Sequence, residues 1–584
     1  MPLPDSTHTN NNDNVQAVAE ERGQQEDEYS NSMAGHKEEE AAPFYGNESN
    51  DVQDLEAYSD ANQDKIGGQE EQRKTKWKWI AVVIAVIVIA FAAGIGGGVA
   101  AGSGGAEAAP ETLPTSPTTA PTTQIVESEN FKAIKSVLED VVSPSSSFMD
   151  YESPQYMALA WVSDEDTNFS SINDMDKLTT RYILAVVYFS LGGPNWTLES
   201  AKWLDIETDE CYWKGILCSN TTEEVKGITI NENINMVGNL PPELQHLDAL
   251  RILEITDNKG LKGIDKAIPQ LVIMKLKRNG IQSFSLPAIF KMTNLEELWL
   301  NDNDLSGTLS MDVGNLKSLR SFVVSKNDLT GTITRHFHQL TDLVKLDLQI
   351  NRLEGKFMEL ITGLSKLDEI SIANNMFSGS IATSIFELQG LRKLIAQSNY
   401  LSGTIPDALW NLPRLAQVSL SFQQGDGISG SIAPTIGNAK ELQAVELQQL
   451  NLDGPIPSQI GMLQRLRLLS LDYNALEGKI PSDVANCLNL VQLQMHSNFL
   501  TGTLPTEIGN MPDLKVLSVS ANELTGTIPE EYGSASNLEK LAIFANELQG
   551  SVPAAVCALP ALLIIQIGED VQCQCAEKCE YVAG

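Results

Sequence analysis

The stretch that decides the fold is Leu295-Glu-Glu-Leu298-Trp-Leu300-Asn-Asp-Asn303-Asp-Leu305-Ser-Gly307. Its spacing returns about every 24 residues from about residue 225 onward, for about thirteen turns. A period of this length predicts a repeat array, because one coil cannot hide its apolar edge alone and has to stack on its neighbours. Later copies of the Asn and Gly pair are Asn327/Gly331, Asn351/Gly355, Asn375/Gly379, Asn399/Gly403, Asn474/Gly478, Asn498/Gly502, Asn522/Gly526 and Asn546/Gly550.

Each repeated position has a physical role. The two leucines of the L-x-L element point inward from a short strand, as Leu298 and Leu300 do in the quoted copy. The Asn side chain can bond backbone groups where the chain leaves the strand, which predicts a ladder of asparagines from coil to coil. The Gly permits a backbone conformation that a Cβ atom would resist. An Ile-Pro or Leu-Pro pair follows, as at Ile405-Pro406.

These residues resemble the leucine-rich repeat, in its plant-type form L-x-x-L-x-L-x-x-N-x-L-x-G-x-I-P, over roughly residues 225–567. The resemblance implies an α/β repeat solenoid with a parallel sheet on its concave face. Cys211-Tyr-Trp213-Lys-Gly215-Ile-Leu-Cys218 is similar to the cap that precedes the repeats in plant-type receptors, where the two cysteines pair. The last four cysteines resemble a disulfide-stapled terminal cap, in which three pairings are open, although Cys573 and Cys575 are not expected to pair with each other. These four are Cys557, Cys573, Cys575 and Cys579.

Composition divides the chain into six expected segments. They are a disordered acidic cytoplasmic tail (1–76), a transmembrane helix (77–103), a Pro/Thr-rich stalk (104–126), a helical N-terminal cap with a disulfide (127–224), the leucine-rich repeats (225–556) and a Cys-rich C-terminal cap (557–584). The tail has few branched apolar residues, so it cannot bury enough surface to offset its ordering entropy.

The expected membrane span contains no charged residue from Trp79 to Gly105, and its first part is almost all Ala, Val and Ile. It is long enough to cross about 30 Å of hydrocarbon as a helix. Basic residues lie immediately before it at 73, 74, 76 and 78, whereas Glu107 is the first charge after it. Positive charge stays in the cytosol, so we expect an uncleaved signal-anchor at the plasma membrane with the repeats outside the cell.

Three helices are expected in the N-terminal cap. In the first, Phe131, Ile134, Val137, Leu138 and Val141 would line one apolar face. Ser153-Pro154 predicts the start of a second, short helix around Tyr156 to Trp161. Residues 176–191 predict a longer helix that ends at Gly192-Gly193-Pro194. Sequons on the expected outer side predict glycosylation at Asn168, Asn195 and Asn220.

Charge and motifs exclude several classes of function. The net charge is −36, and both the first 78 residues (−11) and the remainder (−25) are acidic, which argues against nucleic acid as a partner. A basic ligand or divalent cations remain alternatives to a merely soluble surface. No enzymatic constellation, metal-ligand spacing or cofactor motif is present in the sequence, and no kinase motif follows the span. We therefore expect no catalytic, cofactor-binding or metal-binding residues, and a receptor-like protein without a kinase domain.

Binding is expected on the concave face, where the resemblance implies that residues between the inward leucines point outward. Trp299, Phe422, Tyr473 and Phe544 are aromatic anchor candidates there, since buried aromatic side chains often dominate binding energy. Val323, Glu446 and Asp472 are expected on the same ribbon. The polar ligand-binding candidates are Asn301, Gln349, Gln397, Gln448 and His496.

Two turns depart from the repeat. Gly403 to Gly430 spans 27 residues, three more than the others, with the extra residues around Phe422-Gln-Gln-Gly-Asp-Gly427. The next turn has Leu450 where Asn belongs. An insertion in one turn maps to a loop, often on the binding face, although neutral drift is equally plausible.

The sequence thus favours a cell-surface receptor that binds an extracellular protein, peptide or glycan and signals only through a co-receptor or kinase partner. The alternatives are a cell-wall or matrix adhesion protein and an inhibitor of a secreted hydrolase. The ligand and the oligomeric state do not follow from these patterns.

Overall fold

The computed structural model describes residues 127–166, 173–197, 203–232, 234–356, 358, 361, 363–575 and 577–582. All of them belong to one compact unit, Thr122–Gly584. The expected tail, membrane span and stalk lie outside the described residues. Within the described part of the chain, no helix combines the length and the apolar character that a bilayer crossing requires.

The unit begins with three helices: α1 (Glu129–Leu138), α2 (Pro154–Ala160) and α3 (Met175–Ser190). Each is capped at its start by a side-chain oxygen. The Tyr156 N–H donates to Ser153 Oγ at 3.0 Å, as Ser153-Pro154 predicted, and the Lys177 N–H donates to Asp174 Oδ1 at 3.1 Å. The predictions of α2 and α3 are confirmed to within two residues at the start of α2 and one residue at the other three ends.

The prediction for the apolar face of α1 is wrong at one position. Phe131, Ile134 and Leu138 are buried as expected, but Val141 is 67% exposed. The helix ends at Leu138 and its cap residue Glu139 is extended, so the helical spacing no longer applies at residue 141.

The repeats form a 17-stranded sheet. Only its first strand pair is antiparallel, and the other pairs are parallel and in register, with Leu298 aligned to Phe322 and so on from coil to coil. The inward residues of these strands are almost completely buried. The strands are Ile216–Cys218, Val225–Ile230, Ile252–Ile255, Ile273–Lys275, Glu297–Trp299, Ser321–Val323, Lys345–Asp347, Glu369–Ser371, Lys393–Ile395, Gln417–Ser419, Ala444–Glu446, Leu468–Ser470, Gln492–Gln494, Val516–Ser518, Lys540–Ala542, Ile564–Ile567 and Cys579–Tyr581.

Smaller parallel sheets follow the turn that leaves the large sheet. Five strands form one of them: Ser306–Gly307, Asp328–Thr332, Arg352–Lys356, Met376–Gly379 and Tyr400–Leu401. Seven form another: Gly403–Thr404, Ile428–Ser431, Asn451–Pro455, Ala475–Lys479, Phe499–Thr503, Glu523–Gly526 and Glu547–Leu548. Two pairs complete the set: Val237–Leu240 with Gly260–Ile264, and Gly550–Ser551 with Val571–Gln572. Gly331 and Gly478 have φ angles of 73° and 76° in these strands, which explains the repeated glycine.

Short helical turns complete the coils, and we call their side of the solenoid the helical side. The 3₁₀ turns are Pro242–His246, Ser283–Ser285, Met311–Asn315, Arg335–Gln339, Thr383–Glu387, Pro434–Asn438, Ser458–Met462, Ser482–Asn486, Thr506–Asn510 and Glu530–Ser534. Leu286–Ile289, Asp407–Trp410 and Ala554–Cys557 are single α-helical turns. The prediction of a leucine-rich-repeat solenoid with a parallel sheet is therefore confirmed.

The predicted asparagine ladder is present. Asn498 shows its geometry: Nδ2 donates to the carbonyls of Leu471 (3.0 Å), Met495 (3.1 Å) and His496 (3.2 Å), while Oδ1 accepts from the Leu476 N–H at 3.0 Å. One amide thus joins its own coil to the coil before it and satisfies backbone groups that are buried between the coils.

The ladder changes at the two irregular turns. Gln423 takes the place of Asn and donates to the carbonyls of Ala396 and Leu420, at 3.0 and 2.7 Å. Leu450 has no such group, and the Leu450 N–H instead donates to Asn474 Oδ1 of the next coil at 3.2 Å. The three extra residues form a loop between the large sheet and the strand Ile428–Ser431, closed by a 2.8 Å bond from Asn451 Nδ2 to the Asp426 carbonyl.

Arg181 is the central side chain of the N-terminal cap. It is fully buried, forms an ion pair with Asp166 and one with Glu210, and places its guanidinium 5.3 Å and 4.8 Å from the ring centres of Trp161 and Trp213. A disulfide joins Cys211 and Cys218 in the same cap.

The C-terminal cap pairs Cys557 with Cys575 and Cys573 with Cys579, which selects one of the open pairings.

We predict that Asn498→Ala destabilises its coil by about 1–3 kcal/mol, because the buried Leu476 N–H loses its acceptor. Hydrogen exchange of the strand Ala475–Lys479, which contains Leu476, together with chemical denaturation, measures the effect. The matched control is Asn438→Ala on the exposed helical side, which should change stability by less than about 0.5 kcal/mol. Equal protection of this strand in the two variants would contradict a structural role for the ladder.

We predict that Arg181→Ala destabilises the cap by about 3–5 kcal/mol, because the buried Asp166 carboxylate loses its ion pair with the guanidinium, whereas Glu210 keeps its pair with Lys177 at 2.8 Å. Thermal melting followed by tryptophan fluorescence reports on the adjacent Trp161 and Trp213. Lys132→Ala, which removes an exposed ion pair with Glu129, is the control and should cost less than about 1 kcal/mol. An unchanged melting temperature for Arg181→Ala would refute this account of the cap.

Candidate ligand-binding face

We call the outward side chains of the large sheet the sheet face. Because the strands pair in register, residues one coil apart lie side by side, as Lys275, Trp299 and Val323 do. Neighbouring strands are about 4.8 Å apart, so outward side chains of successive coils form continuous rows. The expectation that Val323 would be available on this face is wrong, since Val323 is only 3% exposed.

Lysines surround Trp299 on this face. The ammonium groups of Lys275, Lys345 and Lys277 lie 4.9, 5.6 and 5.7 Å from the centre of its ring, which are cation–π distances. The sequence prediction selected Trp299 but missed the lysines. Lys275 ends the strand Ile273–Lys275 in the coil before Trp299 and Lys277 lies two residues further on, and this spacing of two was the signal that pointed to them.

Several polar atoms on the sheet face are buried and have no hydrogen-bond partner within the described protein. They are Trp299 Nε1, Asn301 Oδ1, Ser321 Oγ, Gln397 Oε1, Glu446 Oε1 and Asp472 Oδ1. Of the predicted candidates, Trp299, Asn301 and Gln397 thus belong to this row. An unpaired buried polar atom costs about 1–3 kcal/mol, so a row of them on one face is expensive for the folded protein alone.

The remaining polar candidates have partners inside the protein. The Gln349 side chain donates from Nε2 to Asp347 Oδ2 at 3.5 Å, and the Gln448 side chain accepts at Oε1 from Ser421 Oγ.

The aromatic candidates do not all lie within strands. Phe422 and Tyr473 have φ angles of 60° and 56° and occupy the left-handed turn just after the strand. Most other coils have a left-handed residue at this place, Asp302 and Lys326 among them, so the conformation belongs to the repeat. Tyr473 is 41% exposed and Phe544 is half-buried.

Glu446, Asp472 and His496 lie on successive coils of the sheet face, and we call them the carboxyl cluster. His496 Nε2 is 3.7 Å from Asp472 Oδ2, which is too long for a good hydrogen bond. The imidazole also packs edge-on against Tyr473, with ring centres 5.0 Å apart. The sequence placed all three residues on the ribbon, but only the structure brings them together.

Burial keeps the carboxyl cluster close to neutral. Desolvation raises the pKa of Glu446 from 4.5, and that of Asp472 from 3.8, to about 7, and the Glu446 charge adds to the effect on Asp472. Desolvation, helped by the charge of Lys540, lowers the pKa of His496 from 6.5 to about 4. The attraction between Asp472 and His496 is therefore weaker than the cost of burying both charges.

Metal binding by histidines or acids finds no support in the described part of the chain. There, the one group of three potential ligand atoms within 4.8 Å of one another is Cys573, Cys575 and Cys579, and all three are in disulfides.

Of the three predicted glycosylation sites, Asn195 and Asn220 are exposed, whereas Asn168 lies outside the described residues.

We predict that Glu446→Gln combined with Asp472→Asn stabilises the protein relative to the unchanged chain by a few degrees in melting temperature at pH 8, and much less at pH 4.5. Because each native pKa is raised, the folded state holds more protons than the unfolded state between about pH 4 and 7, so ionisation costs stability as the pH rises through that range. The difference in melting temperature between the double variant and the unchanged chain, measured at each pH, isolates the contribution of these two carboxyls.

The control for this pH series is Asp483→Asn combined with Glu507→Gln, two exposed acids on the helical side. It should give a difference that hardly depends on pH. A pH-independent difference for the carboxyl cluster as well would show that its carboxyls titrate normally.

Comparison with known proteins supports the fold. The Leucine Rich Repeat family model matches residues 294–316, 390–412 and 465–487. MDIS1-interacting receptor like kinase 1 of Arabidopsis thaliana is 32% identical over 168 residues, which are 28% of this chain and 16% of that protein. The crystal structure of a TDR receptor is 27% identical with a TM-score of 0.56, covering 62% of this chain and 63% of that one.

A third similar structure is the Arabidopsis receptor kinase HAESA in complex with the peptide hormone IDA and the co-receptor SERK1. It is 24% identical with a TM-score of 0.49 and covers 67% of this chain and 81% of that chain. The chain spans 16% of the receptor like kinase and less than two thirds of the TDR receptor chain. The repeats, the sheet register and the matched repeat segments together identify the described unit as a leucine-rich-repeat solenoid, with similarity to the TDR receptor structure and to part of a receptor like kinase.

Proposed function

We propose that this protein is a cell-surface receptor-like protein whose sheet face binds an extracellular protein, peptide or glycan. The observation that carries the proposal is the row of buried, unpartnered polar atoms on the sheet face, from Trp299 to Asp472. Once these side chains turn toward a ligand, it can pair with polar atoms that the described protein leaves without hydrogen-bond partners.

An extended peptide is the favoured ligand class. The row runs across the strands, and from Trp299 to Glu446 it crosses six strand steps. At about 4.8 Å per step this is about 29 Å, the length of about nine residues of extended chain. The similarity to the TDR receptor and to a receptor like kinase supports the receptor class.

The surroundings of the solenoid are also part of the proposal. Three disulfides in the described residues require an oxidising compartment, which supports an extracellular location. The uncharged stretch after Trp79 and the basic residues before it support a single membrane pass with the N-terminus in the cytosol. We propose that signalling requires a co-receptor or kinase partner, and that Asn168, Asn195 and Asn220 are glycosylated.

We predict that Ser371→Arg weakens binding by about tenfold or more, because a guanidinium then fills the middle of the sheet face, between Asp347 and Ile395. The probe is a display library of random 12-residue peptides, selected on the purified full-length chain. Affinities of the recovered peptides are then measured for each variant.

The control is Gln389→Arg, which adds the same charge to the exposed helical side of the same coil. Recovered peptides should retain their affinity for this variant. If Ser371→Arg has no effect, or if no peptide is recovered, the sheet face is not the binding site.

A further inference from the structure

The unpartnered atoms of the sheet face are mostly acceptors. Asn301, Gln397, Glu446 and Asp472 each contribute an oxygen. The oxygens of Glu446 and Asp472 belong to carboxyl groups, and an ionised carboxylate can only accept hydrogen bonds. The side of the face near the carboxyl cluster is therefore suited to a ligand group that brings donors.

The two carboxyls differ from other acids on the same face. Glu297 is paired with Lys275 at 3.0 Å, and Glu369 is paired with Lys345 at 2.9 Å. Within the described residues, neither Glu446 nor Asp472 forms an ion pair with a lysine or arginine, although Asp472 is only 5% exposed. Buried carboxylates are normally paired with a cation or bonded by several hydrogen-bond donors. Glu446 and Asp472 lack a paired lysine or arginine, and each has an oxygen without a donor.

Their immediate neighbours do not fill it. Gln417 lowers the pKa of Glu446, and Ser470 lowers that of Asp472, but both effects are smaller than that of burial. The Ser470 hydroxyl donates to Gln494 Oε1 at 3.3 Å, and each carboxyl has one oxygen without a partner in the described residues. The other titratable groups that act on the cluster are His496, which is neutral near pH 7, and Lys540, whose charge acts on His496. The cluster also lacks the three closely grouped ligand atoms that a metal site requires, so an organic cation fits better than a metal ion.

We propose that Glu446 and Asp472 form a subsite that receives a cationic side chain of the ligand, a lysine ammonium or an arginine guanidinium. This subsite rests on the proposed function and defines one feature of the ligand that it recognises. A cation that replaces solvent here pairs with two desolvated carboxylates, where electrostatic attraction is stronger than at an exposed site.

Binding at this subsite is coupled to protons. The free carboxyls have a pKa of about 7, so near neutral pH they are partly protonated. The cation binds the ionised form, and the displaced protons pass to solvent. Affinity for a basic ligand should therefore rise with pH through the neutral range, and a ligand without a basic group should show no such dependence.

The test uses the peptides recovered on the full-length chain at pH 8. We expect each to contain a Lys or Arg whose replacement by Gln weakens binding, and to lose affinity by about tenfold or more between pH 8 and pH 5.5. Exchanging Lys for Arg in the peptide distinguishes an ammonium from a guanidinium site. The double variant Glu446→Gln, Asp472→Asn should abolish both the preference for the basic residue and the pH dependence.

The net charge of −36 attracts basic peptides without any specific site. Asp483→Asn combined with Glu507→Gln removes the same charge from the helical side and should leave both effects intact. The recovered peptides could lose affinity for the Ser371→Arg variant, yet need no basic residue and bind equally at both pH values. This result would overturn the subsite and leave the proposed function standing. Peptides indifferent to Ser371→Arg, or an empty selection, would overturn both.

Discussion

One side-chain amide in each regular coil holds the solenoid in register; Gln423 supplies it in one irregular turn, and the turn with Leu450 lacks it. Each ladder Asn bonds the carbonyls of its own turn and of the coil before it, and accepts a backbone N–H of that earlier coil, as Asn375 and Asn522 do. The bonds involve backbone groups and are independent of the outward side chains. Each coil therefore depends mainly on its neighbours, and the sheet face is free to carry residues chosen for binding.

The same architecture sets the electrostatics of that face. Side chains in adjacent coils are close enough to bury one another. A buried ionisable group on this face therefore either forms an ion pair or has its pKa shifted toward the neutral form. Lys275 forms an ion pair with Glu297, and Lys345 forms one with Glu369, so these charges are kept beside Trp299. Glu446 and Asp472 have no such cation, and burial raises their pKa values.

Much of the fold was predictable because it repeats. The spacing of Leu298, Leu300 and Asn303 predicted the strand, the core and the ladder, since each position has one physical role in every coil. The sites were less predictable, because period-two alternation gives the direction of a side chain but not its depth. Val323 and Trp299 occupy equivalent positions, yet Val323 is buried and Trp299 is surrounded by lysines. The cysteine pairing in the C-terminal cap likewise depended on distances that sequence does not contain.

The seventh cysteine shows a consequence of repeat packing. Cys487 lies in the core, its thiol donates to the Ile460 carbonyl at 3.2 Å, and burial raises its pKa to about 11. Thiol–disulfide exchange needs a thiolate that can reach a disulfide, and Cys487 supplies neither the anion nor the access. Once its coil has formed, the odd thiol is removed from oxidative folding, so the two caps can mature without scrambling and the chain has no reactive sulfur here for covalent cross-linking to another molecule.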